Sequence, residues 1–162
     1  MLNILIPTDG SEAALLAVHH ALRLVEHGLQ ARFVLVNVQE SATLYEMVVA
    51  HDPDVLHSVS EQAGLDLMRP AQDLLEAAGH SVEAEVVTGD DAAQMLIEVA
   101  ERYRCDAIIL SARGMGSLRA ALLGSVSHEL LQHAPVPVTV VRATEAEEDL
   151  AADADGDAAT DR

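Results

Sequence analysis

The sequence predicts an α/β protein with a doubly wound, mainly parallel five-stranded sheet and helices on both of its faces. One observation is the order of the segments, because short apolar runs alternate with amphipathic helical stretches as βαβαβαβαβ. Another is that the apolar runs are nearly continuous, which is typical of parallel strands that are covered on both sides. Right-handed crossovers between such strands place helices on both faces of the sheet.

The first elements have clear boundary signals. Leu2 to Pro7 predicts the first strand, and Ser11 predicts the N-cap of a helix over 12–27. Gly28 follows this helix at the position where a left-handed residue commonly ends helices. Phe33 to Val38 predicts the second strand.

The rest of the chain continues the same alternation. Residues 39–54 have no clear period and predict an irregular connection, and Pro70 should break or kink the long helix predicted after it. The remaining predicted elements are that helix over about 55–78, a strand over 81–87, a helix over about 92–103 capped by the segment 88–91, a strand over 107–110, a helical segment over 126–133 and a strand over 136–141.

The charge of the chain is strongly negative and unevenly distributed. The formal net charge of the 162 residues is −18 with histidine neutral, and the chain has nine arginines and no lysine. Residues 143–162 hold eight acids and one arginine (−7), and residues 1–142 hold 19 acids and eight arginines (−11). A protein with this much negative charge repels phosphate backbones, which argues against nucleic-acid binding. We therefore expect one domain over 1–142 and a disordered acidic tail over 143–162, with an interaction tail as the alternative.

The sequence favours a cytoplasmic protein without a membrane span. There is no apolar run of about 18 residues, and the N-terminal segment lacks the basic region of a signal peptide. The single cysteine, Cys105, cannot form an internal disulfide and precedes a buried-looking strand.

Residues suited to ligand binding follow the first and the fourth predicted strands. In open α/β sheets, ligands bind beyond the carboxyl ends of the strands, where the strand order reverses. The first strand ends in Pro7-Thr8-Asp9, which offers a hydroxyl and a carboxylate, and the fourth is followed by the small residues of Ser111 to Gly116. If these strands are neighbours, both groups face one crevice.

The segment after the fourth strand also resembles an anion cradle. Gly114 permits a positive φ or a close approach, and Gly124, Ser125 and Ser127 place hydroxyls and unpaired amides at a helix start. Arg113 can contact a phosphate or lie solvated on the loop. The lysine of the P-loop and the dinucleotide glycine pattern after the first strand are both missing. This disfavours a Walker-type NTPase and a Rossmann dehydrogenase.

Four motifs together resemble the universal stress protein family, and the resemblance covers residues 1–142. These motifs are Ile4-Leu5-Ile6-Pro7-Thr8-Asp9-Gly10-Ser11, Val36-Asn37-Val38, the stretch from Ser111-Ala112-Arg113-Gly114 to Gly124-Ser125-Val126-Ser127, and Pro135-Val136-Pro137-Val138. The resemblance implies a Rossmann-like fold of the adenine nucleotide alpha hydrolase-like kind. It also implies a homodimer that is paired through the last strand, residues 136–142.

The resemblance extends to the ATP-binding branch of that family, whose pattern is G-x2-G-x9-G-[S/T]. Gly114, Gly124 and Ser125 match this pattern, and Ser111 stands where its first glycine is expected. It implies that ATP binds, and we expect Mg²⁺ to accompany it. We expect any hydrolysis to be slow, because no residue forms an obvious general base with an oriented partner and the chain has no lysine to stabilise a transferring phosphate. The implied nucleotide site comprises Pro7, Thr8, Asp9 and Val38 around adenine and ribose, and Ser111, Gly114, Gly124, Ser125, Val126 and Ser127 around the phosphates. We expect Leu110 and Arg113, which adjoin Ser111 and Gly114, to belong to the same site.

Ser111 leaves two structural readings and two functional ones open. If its backbone needs a positive φ, serine costs about 1 kcal/mol there. If glycine only makes room, the Ser111 side chain crowds the ligand or adds a hydrogen bond. The alternative to a nucleotide-binding stress-response protein is a nucleotide-free dimeric interaction module of the same fold.

Overall fold

Five strands and four helices alternate along the parts of the chain that the computed structural model describes, residues 1–41, 53–112 and 123–142. The elements are β1 Leu2–Pro7, α1 Glu12–Glu26, β2 Ala31–Gln39, α2 Pro53–Ala77, β3 Val82–Thr88, α3 Ala92–Arg102, β4 Ala107–Ser111, α4 Ser125–His133 and β5 Val138–Val141. Neighbouring strands are parallel throughout, in the order β3-β2-β1-β4-β5. The predicted doubly wound α/β fold is confirmed.

The helix ends follow the signals in the sequence. The Ala14 amide donates to Ser11 Oγ at 3.2 Å, which caps α1, and Gly28 after it has a φ of +102°. Asp91 caps α3 by accepting from the Gln94 amide at 3.0 Å. Of the break or kink predicted at Pro70, the break is wrong, because α2 continues through that residue.

Two separate apolar cores cover the two faces of the sheet. One core joins α1 and α2 to alternate residues of the strands: Ile4, Ile6, Ala17, Val18, Ala21, Phe33, Leu35, Met68, Ala71, Leu75 and Ile109. The other core joins α3 and α4 to the strand residues that alternate with those of the first core. Its members are Leu5, Val34, Val36, Ala93, Leu96, Val99, Ala100, Cys105, Ile108, Leu110 and Leu130. Because successive side chains of a strand point to opposite faces, the same strands contribute residues to both cores.

The strand order reverses between β1 and β4. From β1 the chain passes through α1 to β2 on one side, and it later returns through α3 to β4 on the other side. The segments that leave these two strands run to opposite faces, because α1 belongs to the first core and α4 to the second. A crevice at the carboxyl edge of the sheet follows from this topology.

Three parts of the sequence predictions lie outside the described residues. They are most of the irregular connection (42–52), the loop after β4 with Arg113 and Gly114 (113–122), and the acidic tail (143–162). Among the helices that the structure does describe, none combines the length and the apolar character needed to cross a membrane.

Candidate functional site

A cavity of about 440 Å³ opens between the carboxyl ends of β1 and β4. Its size lies in the range of small-molecule sites in proteins. It is lined by every predicted site residue that the structure describes: Pro7, Thr8, Asp9, Val38, Leu110, Ser111, Gly124, Ser125, Val126 and Ser127. The first strand end and the start of α4 therefore share one crevice, as the sequence predicts if β1 and β4 are neighbours.

The loop after β1 is held by short local hydrogen bonds. The Thr8 amide donates to the Val36 carbonyl at 2.9 Å, which extends the pairing with β2 beyond the end of β1. Asp9 Oδ1 accepts from both the amide (3.0 Å) and the hydroxyl (2.6 Å) of Ser11. These bonds orient the Asp9 carboxylate, which lines the cavity and can accept hydrogen bonds from hydroxyl groups.

Gly10 is required in this loop for two reasons. Its φ is +82°, a conformation that side chains with a Cβ rarely adopt. A Cβ at Gly10 would also lie 2.5 Å from Leu67 Cδ2 in α2. The loop that carries Asp9 is therefore packed directly against α2.

The start of α4 forms the opposite side of the cavity. Gly124 is its N-cap, with φ −62° and ψ 155°, and supplies no side-chain acceptor for the amides of the first turn. Its own amide donates to the Ala112 carbonyl at 3.1 Å, and Ser127 Oγ donates to the Ser111 carbonyl at 3.3 Å. The first amides of a helix have no acceptor within the helix and lie at the positive end of its dipole, so they attract an anion.

Ser111 lies in regular extended structure. It is the last residue of β4 and pairs with Val141 of β5. Among the described residues other than glycine, only Arg104 has a positive φ. The reading in which Ser111 carries backbone strain is therefore wrong, and its side chain affects the cavity through the space and the hydrogen bonding that it brings there.

Six further residues, which the sequence analysis does not predict as site residues, also line the cavity. They are Ala14, Val36, Asn37, Ala92, Leu96 and Ala112. Val36, Leu96 and Leu110 are almost fully buried, at 0%, 1% and 4% exposure, and form an apolar wall suited to a flat ring. A signal for Asn37 was available, because an amide interrupts the apolar run of the second strand.

The charges around the cavity limit its chemistry. Asp9 is its acidic lining residue, and the lining residues that the structure describes include no arginine or histidine. Across the described ranges, no group of three metal-ligating side chains is present. What the described residues offer a ligand is backbone amides, hydroxyls, one carboxylate and an apolar wall.

The sequence and the fold match known proteins. The family model of the universal stress protein family matches residues 1–142. A putative universal stress protein of Staphylococcus haemolyticus is 31% identical over 151 residues, which cover 91% of this chain and 88% of the relative. The structure of the universal stress protein UspA from Lactobacillus plantarum superposes with a TM-score of 0.71 at 24% identity, covering 87% of this chain and 97% of that one.

Two solved structures of the same fold contain an adenine nucleotide. A universal stress protein family protein from Arabidopsis thaliana, with AMP bound, gives a TM-score of 0.63 at 19% identity and covers 91% of this chain and 95% of its own. A universal stress protein in complex with cAMP gives a TM-score of 0.64 at 23% identity, with 88% and 98% covered.

Proposed function

The chain belongs to the universal stress protein family, and on that premise we propose that it binds an adenine nucleotide in the cavity between β1 and β4. One observation carries the proposal: the Asp9 carboxylate and the uncapped first turn of α4 line the same cavity. A nucleotide needs both, since its ribose presents hydroxyl donors and its phosphate needs amide donors. That the fold holds AMP and cAMP in other proteins supports this assignment.

The proposal divides the cavity into two ends. Pro7, Thr8, Asp9 and Val38, beside the buried Leu110, would receive adenine and ribose, because they combine apolar surface with a hydrogen-bond acceptor. Ser111, Gly124, Ser125, Val126 and Ser127 would receive the phosphates, because they belong to the end of β4 and the first turn of α4. The predicted phosphate contacts of Arg113 and Gly114 belong to the same proposal.

We further propose ATP with Mg²⁺ as the physiological ligand and a role in stress response. The described residues do not form a cage of metal ligands, so Mg²⁺ would enter with the nucleotide and neutralise part of its phosphate charge. The chain has no lysine to stabilise a transferring phosphate, so we expect binding with slow or no hydrolysis. A cytoplasmic location is part of the same prediction.

Isothermal titration of the full chain with AMP, cAMP and Mg-ATP tests the proposal. We expect saturable binding, and we expect Asp9→Ala to weaken it while Asp73→Ala, at an exposed position on α2, leaves it unchanged. If none of the three nucleotides binds at concentrations up to about a millimolar, a typical upper limit for cellular ligands, the proposed function is wrong.

The alternative function is a nucleotide-free interaction module, and Ser111 is the residue that separates the two. Because Ser111 lies in an extended strand, glycine at this position would change the space in the cavity without changing the strand. If Ser111→Gly creates a nucleotide affinity that the native chain lacks, the native chain has lost the site. Equal affinity of the two proteins supports a site that accommodates the serine.

We also propose that the protein is a homodimer paired through residues 136–142. In the described sheet β5 is the last strand in the order, so one of its edges faces away from β4. Ile108 and Ala112 donate to the carbonyls of Pro137 and Val141, so the Val140 amide points to the free edge. Such an edge is a template for a second strand. We expect light scattering to give a dimer mass for the native chain and a monomer mass for Val140→Pro; a native monomer would contradict this.

A further inference from the structure

Asn37 is a buried polar residue near the carboxyl end of the apolar strand β2. The described residues include three polar side chains in the buried class, Thr8 at 5%, Asn37 at 3% and Ser127 at 3% exposure, and all three line the cavity. A polar side chain in such a place destabilises the protein unless its hydrogen bonds are made. Whether the structure tolerates the buried Asn37 amide therefore depends on its hydrogen-bond partners.

The Asn37 amide connects β2 to the loop that carries Asp9. Its Nδ2 donates to the Thr8 carbonyl at 2.8 Å, and its Oδ1 accepts a hydrogen bond from Gln39 Nε2. The Thr8 amide already donates to the Val36 carbonyl at 2.9 Å. Both backbone groups of Thr8 are thus bonded to β2, one through its backbone and the other through a side chain, at the point where β1 has ended.

Helix α2 packs against the Oδ1 atom of Asn37, whereas Thr8 is bonded to its Nδ2 atom. A Cβ at Gly64 would lie 3.0 Å from Asn37 Oδ1 and 2.7 Å from both methyl groups of Val86, so only glycine permits this close approach. The same helix contacts Gly10 through Leu67. The Asn37 side chain is therefore confined between α2 and Thr8, with its amide oriented by bonds at both ends.

We propose that Asn37 is a positioning residue for the nucleotide site. By bonding the Thr8 carbonyl, it fixes the peptide that leads into Asp9 and so sets the place of the carboxylate in the lining of the cavity. The part of this inference that concerns affinity rests on the proposed function; the part that concerns the loop does not.

The substitution Asn37→Asp tests the role, because it keeps the shape of the side chain and replaces the donating NH₂ group with an oxygen. An ionised carboxylate cannot donate to the Thr8 carbonyl, whereas a protonated carboxyl can donate to it and still accept from Gln39. Burial raises the pKa of an introduced carboxyl above its usual value of about 4. The variant should therefore lack the hydrogen bond to the Thr8 carbonyl near neutral pH and should regain it in mild acid.

Hydrogen exchange of the Gly10 and Ser11 amides reports on the loop without any ligand. These amides donate to Thr8 Oγ1 at 3.3 Å and to Asp9 Oδ1 at 3.0 Å. The rates are corrected for the intrinsic pH dependence of exchange. In the Asn37→Asp variant, we expect both amides to exchange at least about tenfold faster than in the native chain at about pH 7.5. At about pH 5, we expect them to exchange at a near-native rate. The matched control is Asn3→Asp, at the opposite end of β1, which should leave both amides unchanged.

Titration with AMP supplies the second readout. We expect Asn37→Asp to bind AMP at least about tenfold more weakly at neutral pH, with affinity recovered at about pH 5 relative to the native chain at the same pH. If the native chain binds none of AMP, cAMP and Mg-ATP, the proposed function fails, and the exchange data still decide the role of Asn37. If the folded variant keeps native exchange at Gly10 and Ser11 at neutral pH, or if acid does not restore it, the positioning role is wrong.

Discussion

Replacing Gly124 with serine should make the protein more stable and at the same time weaken its binding of an adenine nucleotide. Gly124 is the N-cap of α4, and its φ of −62° and ψ of 155° are accessible to serine. A Cβ there would approach the Ala112 carbonyl oxygen to 3.4 Å and Ser127 Oγ to 4.0 Å, which is ordinary contact. The serine hydroxyl can therefore accept from the amide of Val126 or Ser127.

The two effects differ in sign and in size. A serine N-cap is worth a few tenths of a kcal/mol more than glycine in helix stability. The same bond occupies an amide that the proposed site offers to a phosphate, and a hydrogen bond to a charged group contributes about 1.5–3 kcal/mol. At about 1.4 kcal/mol per factor of ten, the affinity for AMP should fall about ten- to a hundredfold.

Urea unfolding and calorimetric titration of the same protein preparations measure both quantities. Gly124→Ala is the matched control, because it adds the same Cβ without an acceptor. The alanine variant should lose about 1 kcal/mol of stability and keep its affinity for AMP. If Gly124→Ser binds AMP as tightly as the native chain, the first turn of α4 does not hold the phosphate.

Four further predictions concern stability and reactivity. Gly64→Ala should destabilise the protein by about 1–3 kcal/mol in urea unfolding, because its Cβ would lie 2.7 Å from the methyl groups of Val86; native stability would show that α2 can shift outward. Asp91→Ala should cost about 1 kcal/mol in the same assay, since the Gln94 amide loses its acceptor, and an unchanged midpoint would contradict the capping role. Burial, and then the nearby Asp106, raise the pKa of the Cys105 thiol from its ordinary 9.0 to about 11, so the native chain should alkylate more slowly than the unfolded one at pH ~8. The unfolded thiol loses its proton first, so the free energy of unfolding should fall as the pH rises from 9.0 to about 11.

Local signals in the sequence predicted most of the fold. The alternation of apolar runs and amphipathic segments gave the order of elements, and Ser11 and Gly28 marked the ends of α1 as the structure has them. The last strand was placed too early, since the predicted 136–141 begins at Val138 in the structure. Pairing with β4 decides that boundary, and such a partner is not visible in a local pattern.

The two ends of the candidate site could be predicted because one follows β1 directly and the other joins the end of β4 to the start of the next helix, both of which have local signals. The residues between them could not, since they come from elements distant in sequence. Leu96 reaches the cavity from α3, and Ala14 reaches it from α1. Asn37 was part of a quoted motif, yet its role depends on contacts with Thr8 and Gly64 that only the packed structure shows. The sequence could not decide whether Ser111 has a positive φ, because its backbone conformation follows from pairing with β5.

The division of the apolar interior into two separate cores has a consequence for synthesis on the ribosome. A nascent chain that has emerged as far as Thr88 contains β1, β2, β3, α1 and α2, and can already cover one face of its three strands. The other face, with Leu5, Val34 and Val36, acquires its cover only when α3 and α4 have emerged. Ribosomes stalled between these points would display an uncovered apolar sheet, which is the kind of surface that chaperones bind.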